Sequence, residues 1–372
     1  MGRHYLDHAS TSPLRPEAAT AMIDWLRVPH GDPSRIHAEG MATRAAIEAA
    51  REQVAVMLGA RSREVVFTSG ATEAIVTAVW GAAERGDHMV VPAVEHSAVR
   101  EAAAQHAREL SIVGVDRLGR VDPDEIVAAI RPTTALVNIQ WANHEVGTLQ
   151  PVHEVVQACR ERGVLVHVDA AQAAGHLPLA FRELGADLVS VSAHKFGAPP
   201  GIGALLVRRG LRLRRLLVGG DQERARRAGF ENVPAIMGMG AACATLTPDR
   251  IEEEAAASRR LTDRVLEAVT GLEGVHVYGD PRERAPHIVC LGIDGIEPQA
   301  VLLGLDQAGI AAHSGSACSS EALEPSPVLE AMGVDAHRSL RISVGWNTTD
   351  RDIDALLEAL PGVISRLRAL RP

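Results

Sequence analysis

Seven near-continuous apolar runs, each short enough for a strand, punctuate the first two-thirds of the chain: EVVFTSG (64–70), HMVVPAV (88–94), LSIVGVD (110–116), TALVNIQWAN (134–143), VLVHVDAAQ (164–172), DLVSVSAHK (187–195) and GALLVRR (203–209). Between most of them lie helical patterns such as ATEAIVTAVWGAAERG, DPDEIVAAI and PVHEVVQACRERG. Strands without a polar face must be covered on both sides, and helices supply that cover, so the pattern predicts an α/β fold around a largely parallel sheet. Aromatic residues make up only 3% of the chain, leaving Ala, Val, Leu and Ile to build the core. After about residue 246 the texture changes. A long charged helix (249–270) precedes two short strands, VHVYGD and PHIVCLGI; a helix at 298–309, a strand SLRISVG and a closing helix from Thr349 follow. A length of 372 residues accommodates two or three units at roughly 150 residues each. The expected division is a large α/β domain over 13–246 and a smaller α+β domain from 1–12 and 247–372.

Composition removes several classes. A formal net charge of −9 argues against a nucleic-acid-binding domain. Cys159, Cys243, Cys290 and Cys318 are widely spaced and form no C-x-x-C, so neither a metal site nor a disulfide framework is expected. No run approaches the roughly 18 apolar residues of a membrane span. The opening MGRHYLDHASTSP lacks the apolar stretch of a signal peptide, and a cytoplasmic, membrane-free protein is expected.

Of the 38 basic residues, one is lysine, Lys195. Arginine dominance reflects codon composition as readily as chemistry, and chance survival of one lysine is the competing reading. Arginine stays protonated, whereas a lysine amine can lose its proton and attack a carbonyl. Lys195 ends the strand DLVSVSAHK, and in open parallel sheets ligands gather at the carboxyl ends of strands. Asp169 with Gln172, and Asn143 with His144, occupy similar strand-end places. A buried Asp needs a cation or donors, and a protonated pyridine nitrogen is one such partner. A Schiff-base lysine with a carboxylate partner is what a pyridoxal phosphate site asks of its protein. The passage Ser69-Gly70-Ala71-Thr72 leads from a strand into a helix, where free N–H groups and the helix dipole favour a phosphate; an ordinary helix cap is the plainer alternative. Ser192 and His194 flank the lysine as further donors.

Among the cysteines, Cys318 stands in SGSACSS (314–320), where small residues on both sides suggest an accessible loop and a reachable thiolate. The other three occupy apolar contexts and read as core.

The segments SGATE (69–73), EHSAV (95–99), WANHEVG (141–147), HVDAAQ (167–172), SAHK (192–195), SGSACSS (314–320) and LRISVG (340–345) together resemble the cysteine desulfurases of the IscS/NifS branch. These are class V aminotransferase-like, fold type I pyridoxal-phosphate enzymes, and the resemblance runs in order over essentially the whole chain. It implies that Lys195 holds the cofactor as a Schiff base and acts as the base once freed. His96 would stack on the ring and assist proton transfer, Asp169 would pair with the ring nitrogen, and Gln172 would reach the ring hydroxyl. Ala71, Thr72, Ser192 and His194 would bind phosphate, and Asn143 with Arg341 would hold the substrate carboxylate. Cys318, on a mobile loop, would take sulfur from L-cysteine as a persulfide, leaving L-alanine. The implied assembly is a homodimer, and the implied partner is a sulfur acceptor: an iron–sulfur scaffold, a thiolation enzyme or a TusA-like carrier. A selenocysteine lyase or another class V enzyme is the alternative within enzymes; a weakly active scaffold that binds a sulfur carrier is the alternative outside them.

One position departs from that family. Where its members typically place Thr or Ser, with a hydroxyl for the phosphate across the dimer interface, this chain has Phe230. Eight arginines also lie between Arg208 and Arg227, either a solvated face or a docking surface for an acidic partner.

Overall fold

The computed structural model describes residues 2–28, 30–314 and 325–370. After a short first strand, β1 (His4–Tyr5), the chain builds a large sheet from β2 (Val65–Thr68), β3 (His88–Pro92), β4 (Glu109–Val113), β5 (Thr134–Gln140), β6 (Leu165–Asp169), β7 (Leu188–Ser192) and β8 (Gly203–Val207). Their spatial order is β2-β8-β7-β6-β5-β3-β4. The neighbours from β7 to β4 pair in parallel, whereas β8 runs antiparallel to both β7 and β2. The link over 193–202 explains that reversal. It holds one tight turn and the pair Pro199-Pro200, and is shorter than the dozen or more residues that a parallel crossover needs.

Side chains alternate between two apolar layers. Val65, Phe67, Val90, Val137, Val166, Val168, Val189 and Val191 face one layer, which takes in Val54, Val155 and Ile236 from the helices Ala38–Met57, Val152–Glu161 and Val233–Thr245. Val66, Met89, Val91, Leu136, Leu188 and Leu205 face the other, packed by Ile75, Val79 and Val99 of the helices Ala71–Ala82 and Ser97–His106. Burial on both faces accounts for the unbroken apolar runs.

The remaining strands are β9 (Val275–Tyr278), β10 (Ile288–Ile293), β11 (Ile310–Ala311) and β12 (Ser339–Ser343). An antiparallel β12-β10-β9 sheet carries the helices Pro248–Val269, Pro298–Gln307 and Asp350–Ala369, and β11 pairs in parallel with β1. Their core joins Leu261, Val265, Val289, Leu291, Leu305, Ile342, Leu356 and Leu360 to Leu6 from the amino end. The helix Pro248–Val269 feeds both cores, through Ile251 at its start and Leu261 and Val265 further on. The closing helix starts where expected: Thr349 and Asp352 form a reciprocal cap that satisfies two first-turn N–H groups. Among the described residues, no helix is long and apolar enough to cross a membrane.

Candidate active site

Strands β5, β6 and β7 share a direction, so Gln140, Asp169 and Ser192 emerge at one edge of the sheet. A cleft of about 450 Å³ opens there, lined by Ala71, Thr72, His96, Asp169, Gln172, Ser192, His194, Lys195 and Arg341. The sequence therefore places nine of its candidate residues around one space.

The anion cradle is backbone. No side chain caps the start of the helix Ala71–Ala82, so its first-turn N–H groups face the cleft at the positive end of the helix dipole. Gly203 lets β8 pass close behind. A Cβ there would come within 2.5 Å of the Val191 carbonyl oxygen and 2.7 Å of Gly70 Cα. Glu73 also lines the cleft, and its negative charge is met by Arg227, whose Nε donates to Oε1 at 2.8 Å and Nη2 to Oε2 at 3.2 Å. Hydrogen bonds from Arg227 and Ser69 outweigh burial and hold the Glu73 carboxyl below its ordinary value, although burial is the largest single influence and raises it.

Lys195 closes the turn after β7. Burial, reinforced by Arg341, brings its amine down to about 8, and Nζ donates to the carbonyls of Ala9 at 2.6 Å and Ser10 at 2.9 Å. Asp169 ends β6, accepting from the Ala171 N–H at 3.0 Å and the Ser190 hydroxyl at 3.4 Å. Burial pushes its carboxyl up, and His96 pulls against that shift. A buried carboxyl of this kind suits a partner that brings its own positive N–H. His96 begins the helix Ser97–His106 by accepting from the Ala98 N–H at 3.1 Å through Nδ1. Burial lowers the pKa of His96, and brings His194 down to about 4, so both rings are neutral.

Arg341, 1% exposed on β12, donates to Asp7 Oδ1 at 3.0 Å, Ser10 Oγ at 2.7 Å and the His144 carbonyl at 2.7 Å. Its neighbour in the expected carboxylate site, Asn143, does not line the cleft. Asn143 accepts from the N–H groups of Glu145 and Val146 at 2.9 and 2.8 Å and donates to the Val94 carbonyl at 3.1 Å. His144 is the residue that faces the cleft, edge-on to His96 with ring centroids 5.0 Å apart. Its Nδ1 is buried without a hydrogen-bond partner among the described residues. The sequence marked His144 only as a strand-end polar residue, and gave no sign of Ser10, Glu73 or His313, which also line the space. Cys318 lies outside the described residues. Cys159, Cys243 and Cys290 are all buried, and burial raises their thiols, the first two to about 12.

The model of the class-V aminotransferase family matches residues 4–356. This chain belongs to that family. The family's pyridoxal-phosphate dependence agrees with the donors in place: an amine near neutrality, a buried carboxyl and an uncapped helix start. The chain is 40% identical over 378 residues to a cysteine desulfurase IscS of Methanosarcina thermophila, covering 99% of this chain and 93% of that relative. It is 42% identical over 384 residues to a cysteine desulfurase of Gluconacetobacter diazotrophicus, covering 100% of this chain and 96% of the relative. A solved NifS-like protein from Rickettsia africae superposes with a TM-score of 0.90 at 30% identity, over 98% of this chain and 99% of that one. Another solved NifS-like protein gives 0.91 at 32% identity, over 98% of this chain and all of its own.

The arginine-rich stretch is largely satisfied within the chain. Arg208 pairs with Asp187, Arg214 with Glu84, Arg224 with Glu48 and Arg227 with Glu73, while Arg226 donates to the carbonyls of Arg63 and Val65. Phe230 is 64% exposed and does not line the cleft of its own chain.

Proposed function

We propose that this protein is an L-cysteine desulfurase, converting L-cysteine to L-alanine and passing the sulfur through a persulfide on Cys318 to an acceptor. The observation that carries the reading is the amine of the lone lysine, held near neutrality beside a buried carboxyl and an uncapped helix start. Pyridoxal phosphate, when bound, supplies a carbonyl for that amine and a ring that withdraws electrons from the substrate Cα. The chain's own residues do the rest. The N–H groups of Ala71 and Thr72 hold the phosphate, with Ser192 and His194 beside them. Asp169 keeps the ring nitrogen protonated, and Gln172 donates to the ring hydroxyl. His96, its Nδ1 engaged by the Ala98 N–H, covers the ring and hands protons on through Nε2. Arg341 fixes the substrate carboxylate, while Asn143 shapes the turn that presents His144. Lys195, once displaced, takes the Cα proton, and the Cys318 thiolate takes the substrate sulfur.

The first dozen residues and 247–372 form one domain in this reading, and 13–246 the other. A homodimer is supported by the apolar side chains left in the open, among them Leu26, Ile36, Met41, Val218 and Phe230. The acceptor is a protein such as an iron–sulfur scaffold, a thiolation enzyme or a sulfur carrier, and the location is cytoplasmic. Purified protein loaded with pyridoxal phosphate is expected to be yellow and to release alanine and, under reductant, sulfide from cysteine in equal amounts. Turnover of selenocysteine alone would instead make it a selenocysteine lyase.

A further inference from the structure

Behind the cleft wall lies a pair of histidines that the proposed chemistry does not use. His287, completely buried just before β10, and His176 stack with ring centroids 3.7 Å apart and planes 14° from parallel. His176 Nε2 donates to the Lys195 carbonyl at 3.0 Å, a bond in which only the histidine has a proton to give. His287 Nε2 lies 3.2 Å from Gln172 Oε1, and its buried Nδ1 has no partner among the described residues.

These contacts fix the direction of the Gln172 amide. The Ala9 carbonyl, 2.9 Å from Gln172 Nε2, only accepts, so the amino end must face it. Oε1 is then presented to His287, which must carry its proton on Nε2. The Gln172 amino group has two hydrogens, and one is spent on Ala9. The other is left for whatever occupies the cleft that Gln172 lines. The opposite orientation would put a carbonyl against Ala9 and turn an acceptor towards the ligand.

We infer that His287, held in place by its stack on His176, is a positioning residue that sets the Gln172 amide as a hydrogen-bond donor to the cofactor's ring oxygen. The inference rests on the cofactor reading above. His287 stays neutral throughout the working range, because it is buried and faces His176, His8, Arg341 and Lys195, each of which opposes a further positive charge. Its proton position is therefore set by geometry and not by pH.

The test is spectroscopic. A donor to the ring oxygen stabilises negative charge there, so losing its alignment raises the pH at which the bound cofactor's visible band changes. In the loaded protein, His287→Phe keeps an aromatic stack but removes the donor, and should move that transition up by about one pH unit. His287→Gln, which can donate again, should return it towards the wild-type value. A folded Phe variant with an unmoved transition, or a Gln variant that fails to restore it, overturns the inference. In unmutated protein labelled with 15N-histidine, His287 should be a neutral ring protonated on Nε2. A ring protonated on Nδ1 overturns the inference without any variant. Wild-type protein that shows no visible band after loading is a separate result, and counts against the cofactor reading.

Discussion

The Nζ of Lys195 and the carbonyl oxygen of Ala9 lie 2.6 Å apart, although 186 positions separate them along the chain. Among the described residues, the amine is thus aimed by the backbone carbonyls of Ala9 and Ser10. Lys195→Ala should lose the Schiff-base band of the loaded protein and all turnover, since no other lysine is present to form a Schiff base. Because the amine is brought down from 10.5 to about 8, its reactive neutral form is the minority at pH 7 and the majority above 8. Cofactor loading of the apo-protein, followed by the visible band, should therefore speed up as pH rises from 7 to about 8.5 and then level off.

The three buried cysteines bear on the sulfur position. With their thiols raised by burial, none is expected to react in the native state. Native protein treated with iodoacetamide should gain one label, on Cys318, and wild type treated with cysteine should carry its added sulfur there. Cys318→Ser should keep the colour and bind cysteine but form no persulfide. Peptide mass spectrometry decides, and label on Cys159, Cys243 or Cys290 would refute the assignment.

Arg227 neutralises a carboxylate that lines the anion cradle. Arg227→Met should leave Glu73 facing the phosphate unpaired and weaken pyridoxal phosphate binding about tenfold, the equivalent of ~1.4 kcal/mol. Adding Glu73→Gln should recover most of the loss, and titration of the four apo-proteins measures the coupling. Equal losses in single and double variants would show that Arg227 acts elsewhere.

Glu223, Arg224 and Ala225 all have positive φ, at 48°, 57° and 59°, a conformation that non-glycine residues hold only when their surroundings enforce it. The enforcing contact is a bidentate pair, Arg51 Nη1 and Nη2 to Glu223 at 2.6 and 2.8 Å, with the Phe67 N–H as a third donor at 2.8 Å. Glu223→Ala leaves the buried Arg51 guanidinium with only Glu48 and the Val65 carbonyl as hydrogen-bond partners among the described residues, and should lower the stability of the folded protein by about 3 kcal/mol, read from urea denaturation. A loss under 1 kcal/mol would mean that the turn holds itself.

At position 230, a hydroxyl in place of the ring should add a donor to the partner's phosphate in the proposed dimer. Phe230→Thr is expected to tighten cofactor binding by about ten- to a hundredfold. If Phe230 instead packs against the partner, the variant will be less stable and bind no better; parallel titration and thermal denaturation separate these outcomes.

The sheet was legible because burial on both faces leaves an apolar run that no loop imitates. The reversal of β8 was not read, since such a run looks alike in either direction; the short connector over 193–202 was the available signal. Strand-end placement drew Lys195, Asp169 and Gln172 out of the local sequence, and all three line the cleft. That His144 faces the cleft while the Asn143 side chain bonds backbone follows from the turn itself, where Ala142 bridges to Leu149. His176 and His287 meet only through tertiary packing, and nothing local marks either one. The arginine run carries its counter-charges on Asp187, Glu84, Glu48 and Glu73, scattered through the chain, so its net effect was hidden in one dimension.

The amino-terminal segment has a temporal consequence. Residues 4–12 are made before the elements that hold them: Tyr5 pairs with Ala311, Asp7 with Arg341, and Ala9 receives its bonds from Gln172 and Lys195. Every one of those partners is synthesised later, two of them after all seven strands of the large sheet. A nascent chain can assemble the large sheet, but it cannot aim its lysine until the last strand has been made. Cofactor capture is thereby deferred until β12 has been synthesised.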